Sequence, residues 1–328
     1  MKRTIKELIQ LVRIILKQRN GINKEILYIN WWTGEKRHWF NDFLISNKIL
    51  KPGKRFQLVI VSVMGRRWIA ELPLGRVKLF FTAEDTTDRY IDYDDYMEHS
   101  TELSLGFKSQ DLTKNRLNLP LWMLYNLSPT NETKKQDKGW LYSVDDFIDA
   151  IEKKHDFESR PYDMALICRH DNRGNGKGNR GLALDTFEKA GFKVLSAGGF
   201  RKNTTILEDE FNDDHLRLLQ KCKFYICFEN TDAPGYTTEK LFDALLCGSI
   251  PIYWGAQNKP EKDVLTGNGI LVFDPTNPTR CLSIIHQICN SVTFREEFLG
   301  KRKTQPKAAI AISNRLNLFK REVERVLH

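Results

Sequence analysis

The 328-residue chain has no CxxC pair, no cysteine–histidine cluster at zinc-ligand spacing and no paired cysteine framework, although it holds six cysteines. That argues against a structural zinc module and a disulfide-stapled secreted scaffold. Cys168, Cys222, Cys227, Cys247, Cys281 and Cys289 occur singly, several inside apolar runs. They read as buried free thiols, which suits a reducing compartment. No apolar run approaches the ~20 residues needed to span a bilayer. The Walker GK[ST] is missing, and so is a G-x-G-x-x-G followed by a suitable acid. No nucleic-acid-binding motif appears, and the basic charges are scattered along the chain.

What is present is ample apolar material, 41% hydrophobic and 11% aromatic residues, enough for two cores rather than a disordered chain. Lys and Arg number 51 against 42 Asp and Glu, a net charge of +9. This excess fits a polyanion, an anionic membrane surface or a small phosphorylated ligand, and charge alone leaves all three open. The first residues, "MKRTIKELIQLVRIILKQRN", are not a signal peptide: Arg13 interrupts the apolar stretch and no small-residue cleavage site follows. Ile5, Leu8, Ile9, Val12, Ile15 and Leu16 fall on one helical face, with Lys2, Arg3, Lys6, Arg13, Lys17 and Arg19 around it. Two readings stay open for residues 1–25: a helix docked on protein, or one lying on a membrane surface.

Beyond it, "KEILYINWW", "RFQLVIVSVMG" and "RVKLFFTAED" have one form, an apolar β-rich run followed by a loop. A helix, "EKRHWFNDFLISNKIL", separates the first two and is closed by Pro52-Gly53. The acids from Glu84 to Glu102 read mostly as a solvated loop face, and "SPTNETKKQDKG" (128–139) as a surface loop. The alternation restarts with "YDMALICRH", "FKVLSAGGF", "KFYICFEN" and "IPIYWG" as strands, and helices between them. The boundary is expected near 155–160, giving domains 26–157 and 158–328, the latter closed by a C-terminal helix. Two doubly wound, Rossmann-like α/β domains facing across a cleft constitute the GT-B fold class, with the ligand beyond the carboxyl ends of the strands.

The most informative stretch is "FENTDAPGYTTEKLFDALLCGSIPIYWG", residues 228–255. A buried strand ends at Glu229 and Asn230, a loop follows, and a helix runs from about Thr238 to Cys247 with Gly248 as its stop. Lys240 therefore sits in the first helical turn, where the exposed N–H groups already carry about half a positive charge. A lysine there is unfavourable unless an anion is shared; either this helix N-terminus and lysine make a phosphate site, or Glu239 complements the dipole while Lys240 points to solvent. Glu239 beside it can accept hydrogen bonds from ligand hydroxyls. The loop "DNRGNGKGNRG" adds Arg173, Lys177 and Arg180, either as a solvent-facing basic loop or at the cleft edge, where Arg180 could pair bidentately with a diphosphate.

This stretch resembles the signature of the α-1,3/4-fucosyltransferases, glycosyltransferase family ten: FEN, a short loop, Y-x-T-E-K, an apolar helix and P-I-Y-W-G. Arg180 matches the family's arginine at the start of the helix after a cleft strand. "FFTAED" is similar to the family strand running into T-G-E-N, with Glu84 the matching acid, although Ala83 and Asp85 stand where glycine and asparagine are common. "NWW" at Asn30–Trp32, "LGF" at 105–107 and "RLNLPLWMLY" are weaker echoes. The heptad-rich tail of some bacterial members is missing; with no stem or membrane anchor the chain looks like a bacterial member.

The resemblance implies an inverting enzyme that takes L-fucose from GDP-β-L-fucose to a GlcNAc (or Glc) hydroxyl of a Gal-GlcNAc-type glycan, in α-1,3 or α-1,4 linkage. Residues 26–157 would bind the acceptor and 158–328 the GDP-sugar. Glu84 would be the general base, and Arg180, Asn230, Tyr236, Glu239 and Lys240 the donor contacts. Asp92 and Asp94 have D-x-D spacing, yet the family uses no such motif, so no metal and no other cofactor is expected. Trp31, Trp32 and Trp39 offer aromatic faces for the acceptor sugar, or core packing. A glycan acceptor, no nucleic acid, and a cytoplasmic location with peripheral contact on the inner face of the plasma membrane through residues 1–20 complete the expectation. The alternatives are a GT-B transferase using another nucleotide sugar, or an inactive carbohydrate- or nucleotide-binding homologue.

Overall fold

The computed structural model describes residues 2–21, 24–32 and 37–328. The chain divides into two compact units, Met1–Pro120 with Asn314–His328, and Leu121–Ser313.

In the first unit, helix α1 (Lys2–Arg19) leads into strand β1 (Ile26–Ile29), helix α2 (Arg37–Ser46), β2 (Leu58–Val61), the short helix α3 (Arg67–Glu71), β3 (Lys78–Phe81), β4 (Leu103–Gly106) and β5 (Arg116–Asn118). The strands form one parallel sheet in the sequential order β1-β2-β3-β4-β5. Strands β1 to β4 are buried at every residue; β1, β2 and β3 after Lys78 are therefore continuous apolar runs, whereas β4, Leu-Ser-Leu-Gly, is not. Helix α2 stops at Ser46, short of Pro52-Gly53. Asn47 turns its side-chain amide back onto the Phe43 carbonyl at 2.9 Å, and Lys48 takes a positive φ of 61°, which together end the helix.

α1 is held through Leu11, which is buried, and through Gln18, whose side chain exchanges two 2.8 Å hydrogen bonds with the Tyr28 main chain. The expected apolar face is not the docked one, since Ile5, Leu8, Ile9, Val12 and Leu16 are exposed. The acids between Glu84 and Glu102 are mostly solvated, as expected, with Asp85 buried, but several of them are also paired. Asp95 makes a bidentate pair with Arg67 at 2.8 and 2.7 Å, Asp94 pairs with Lys108 at 2.8 Å, and Glu98 lies within 3.4 Å of Lys114 and Arg116. The cations come from distant segments, which local composition does not reveal.

The second unit begins with α4 (Leu121–Asn126) and a small antiparallel hairpin, β6 (Lys134–Lys135) and β7 (Trp140–Leu141), followed by α5 (Val144–Glu152). Then come β8 (Tyr162–Leu166), α6 (Asn179–Lys189), β9 (Val194–Ser196), α7 (Ile206–Asp209), α8 (His215–Leu219) and β10 (Cys222–Ile226). Helix α9 (Glu239–Cys247), β11 (Ile250–Tyr253), β12 (Leu271–Val272), α10 (Pro278–Asn290), α11 (Val292–Gly300) and α12 (Ala308–Leu327) complete it, α12 passing into the first unit from Asn314. The sheet is parallel in the order β12-β11-β10-β8-β9. All six cysteines are free, with Cys168 and Cys289 half-buried and the rest buried.

The division falls at Pro120–Leu121, earlier than the expected 155–160. Aromatic packing explains it: Trp122 of α4 stacks on Phe242 of α9 at 4.3 Å, and Phe147 of α5 lies 5.5 Å from each. The C-terminal residues likewise join the first unit rather than closing the second. Phe319, fully buried, packs 5.4 Å from Phe43 and 5.8 Å from Phe40.

Candidate active site

In the second sheet the chain first builds outward from β8 to β9, then crosses back to place β10 on the other side of β8. The carboxyl ends of β8 and β10 thus flank the point where strand order reverses, the place where open α/β sheets leave a ligand crevice. The first sheet is sequential and has no such reversal. The segments leaving β8 and β10 at this point are 170–180 and 228–238, those the sequence singled out.

Past β10 the chain keeps pairing with its neighbour, Cys227 N–H to Ile252 O and Glu229 N–H to Trp254 O, both at 2.9 Å. This carries the Glu229 side chain inside, where it has no exposed surface. Its carboxylate accepts from the Thr238 N–H and the Thr238 hydroxyl, each at 2.7 Å, and from the Tyr253 hydroxyl at 3.4 Å. Thr238 is the N-cap of α9, yet its hydroxyl caps no helical N–H because it serves Glu229 instead. The Lys240 ammonium donates to that hydroxyl at 2.8 Å and stands 3.5 Å from Glu229 and 3.8 Å from Glu239. Lys240 therefore has a protein anion as neighbour, which answers its placement in the first turn. Burial pushes the Glu229 carboxyl above its usual range, while Lys240 and Thr238 pull it back. Gly255 makes room for this carboxylate: a Cβ there would stand 2.6 Å from Glu229 Cγ, and its φ is +138°.

Arg180 opens α6 as expected but points inward, only 4% exposed. Its Nη1 donates to His170 O at 2.8 Å and its Nη2 to Phe228 O at 2.8 Å and Asn230 Oδ1 at 3.2 Å. The guanidinium ties the two loops together from beneath. Asn172, also buried, adds a bond from its amide to Glu229 O, and the Asn175 side chain exchanges hydrogen bonds with the Asp232 main chain at 2.8 and 3.1 Å. The glycine-rich loop has a packing reason too: a Cβ on Gly176 would overlap the Trp254 indole at 1.9 Å. Arg173 and Lys177 are exposed at its rim.

The second unit thus gathers Arg180, Asn230, Glu239 and Lys240 around Glu229. Tyr236 lies in the same loop but is 1% exposed. Glu229, Asn172, Thr238 and Trp254 also build the site; the first, third and fourth lie in the FEN, Y-x-T-E-K and P-I-Y-W-G runs, whereas Asn172 carries no such signal. Glu84 belongs to the first unit, just past the carboxyl end of the central strand β3. The Thr82 hydroxyl accepts from the Glu84 N–H at 3.0 Å and donates to the Glu84 carbonyl at 2.9 Å, fixing the turn that displays this half-buried side chain. Trp31 and Trp32 stack at 4.3 Å and both lie 5.7 Å from Phe81, the last residue of β3. Trp39 is core, 3% exposed and stacked on Phe43 at 5.0 Å. Asp94 accepts from Lys108 at 2.8 Å and Thr86 at 3.1 Å. Among the described residues no three His, Cys, Asp or Glu side chains are grouped to hold a metal ion.

Residues 167–314 match the family model described as "Glycosyltransferase family 10 (fucosyltransferase) C-term". The chain is 25% identical over 259 residues to Alpha-(1,3)-fucosyltransferase FucT of Helicobacter pylori, covering 71% of this chain and 50% of that protein. It is 30% identical over 94 residues to 4-galactosyl-N-acetylglucosaminide 3-alpha-L-fucosyltransferase 9 of Homo sapiens, covering 28% of this chain and 26% of that one. The chain therefore matches half or less of the length of these curated relatives. Among solved structures, an alpha1,3-fucosyltransferase with GDP-fucose aligns over 91% of this chain and 90% of its own, with TM-score 0.59 and 18% identity. A second alpha1,3-fucosyltransferase structure aligns over 93% and 92%, with TM-score 0.60 and 19% identity. At such identity the likeness is one of fold, a GT-B fold of two Rossmann-like units. The segment 167–314, which contains the whole Glu229–Lys240 arrangement, belongs to the fucosyltransferases of glycosyltransferase family 10.

Proposed function

We propose that the chain is an inverting fucosyltransferase, moving L-fucose from GDP-β-L-fucose to a GlcNAc (or Glc) hydroxyl of a Gal-GlcNAc-type glycan in α-1,3 or α-1,4 linkage. The observation that carries this reading is Lys240, an ammonium 19% exposed at the start of α9, backed by the buried Glu229 where the strand order reverses. It lies in a segment matching a fucosyltransferase family model. In the reaction the acceptor oxygen attacks the anomeric carbon while the bond from that carbon to the β-phosphate oxygen breaks. The acceptor proton passes to Glu84, and GDP leaves with the bond's electron pair. Lys240 and the first N–H groups of α9 meet the charge that develops on the diphosphate, so the step runs without a metal ion. Asn230 and Glu239, both half-buried, bond the donor's hydroxyls, while the buried Arg180 and Tyr236 hold the loops that present them. Stacked Trp31 and Trp32 face the acceptor sugar with apolar ring surface. A cytoplasmic location with peripheral attachment to the inner face of the plasma membrane completes the reading; the free thiols, which suit a reducing compartment, support its first part.

The test is GDP release from GDP-fucose with lactose and Gal-GlcNAc acceptors, with and without EDTA, and with GDP-mannose and UDP-galactose as competing donors. Acceptor-dependent GDP release that survives EDTA is expected. Binding of GDP without turnover on any acceptor would make the chain an inactive homologue. Turnover with another sugar nucleotide alone would reassign the donor, and loss with EDTA would reject the metal-free step.

A further inference from the structure

Helix α1 presents an apolar stripe that no described residue covers. Ile5 is 50% exposed, Leu8 41%, Ile9 48%, Val12 53% and Leu16 51%, against 5% for Leu11 on the docked side. At about 100° per residue these side chains span roughly 100° of the helix circumference. Lys6, Arg13 and Lys17, all exposed, project along one edge of that stripe, and Arg13 lines the same surface hollow as Ile5, Leu8, Ile9 and Val12. The single acid of α1, Glu7, lies off the stripe and stands 3.7 Å from Arg66. No helix here is long and apolar enough to cross a membrane among the described residues.

We propose that α1 lies in the plane of an anionic bilayer surface, with Ile5, Leu8, Ile9, Val12 and Leu16 entering the acyl boundary and Lys6, Arg13 and Lys17 meeting acidic headgroups. The charge pattern selects this occupant. An antiparallel pairing with a second copy would set the basic edge of one helix against the basic edge of the other. An anionic surface instead neutralises that edge while the stripe leaves water. Long Lys and Arg stems reach from the boundary to the headgroups. This gives residues and a lipid class to the peripheral placement proposed above. It is measured without any sugar nucleotide, so it and the transferase reading fail separately.

The experiment is flotation of the full chain with phosphatidylcholine vesicles, and with vesicles containing 30% phosphatidylglycerol, at low and high salt. Wild type should rise with the anionic vesicles alone and be released by salt. Leu8→Glu/Val12→Glu should stay at the bottom, whereas Ile14→Glu, on the opposite side of α1, should float like wild type. Lys6→Glu and Arg13→Glu should each weaken binding at least ~5-fold. Matching thermal melts for all variants keep misfolding from imitating the result. Failure of wild type to float, or flotation of the stripe double variant, overturns the proposal. So does a sedimenting dimer, lost in the double variant, that leaves the vesicles untouched.

Discussion

The Lys240 ammonium lies 3.5 Å from the carboxylate of Glu229, a side chain with no exposed surface, and the Thr238 hydroxyl bonds both. Removing the cation should therefore act twice. Lys240→Met should weaken GDP binding about tenfold by calorimetry, since a charge-assisted contact at a helix N-terminus is lost. It should also raise the Glu229 carboxyl further. A carboxyl held above its ordinary 4.5 favours the unfolded state as pH rises past that value. The stability deficit of Lys240→Met should thus widen from pH 4.5 toward neutrality. A deficit independent of pH would mean the two charges are not coupled.

Glu84→Gln keeps the shape of the turn set by Thr82 and removes the proton acceptor. GDP affinity should be unchanged, while the transfer rate falls about 10²–10⁴-fold. Near-normal turnover would place the base elsewhere.

Arg180→Met leaves the His170 and Phe228 carbonyls without their donor. Denaturant unfolding should show a loss of about 2–4 kcal/mol, since buried acceptors are left unpaired. Weakened GDP binding at unchanged stability would instead mean that the guanidinium serves the ligand directly.

Gly255→Ala should be costly and Gly267→Ala mild, although both glycines have positive φ. The first Cβ would meet Glu229 Cγ at 2.6 Å, whereas the second meets nothing within 4 Å. Gly255 also lies at φ 138°, ψ 179°, a backbone region essentially closed to residues with a Cβ, so extra strain of about 1–3 kcal/mol adds to the crowding of Glu229. Equal losses in thermal melts would remove Gly255 from the site's support.

His155 carries a pKa lowered from 6.5 to about 4, chiefly by burial and then by the nearby Arg160, Lys153 and Lys303. The unfolded chain therefore binds more protons between those values, and the folded state loses stability as pH falls from 6.5 to about 4. His155→Gln should flatten that part of the stability curve relative to wild type. Parallel curves would show that the imidazole titrates as it does in water.

The helix from Thr238 with its stop at Gly248 was legible because local signals decide it: an apolar stripe, a cap position and a glycine that takes φ 71°. Seven strand runs were equally plain, since buried parallel strands are continuously apolar, but β4, β5 and β12 were not, being short or carrying Ser104, Arg116 and Asn118. What local sequence conceals is pairing at a distance. Nothing around Arg180 says that its fork will turn toward carbonyls nearly fifty residues on. Nothing around Gly176 names Trp254, nor around Trp122 names Phe242, the stacking that moves 121–157 into the second unit. The Glu229 site was legible as a motif, but its internal order was not: Lys240 has a buried anion before any ligand arrives.

The return of residues 314–328 to the first unit sets an order of events at the ribosome. Domains fold as units while the chain emerges. Residues 121–313 are complete once Ser313 has left the tunnel, but the aromatic face of Trp39, Phe40 and Phe43 waits for Phe319. Of these two units, the one whose residues come first along the sequence is therefore completed last. A nascent chain stalled before Phe319 lacks the ring that packs on those three.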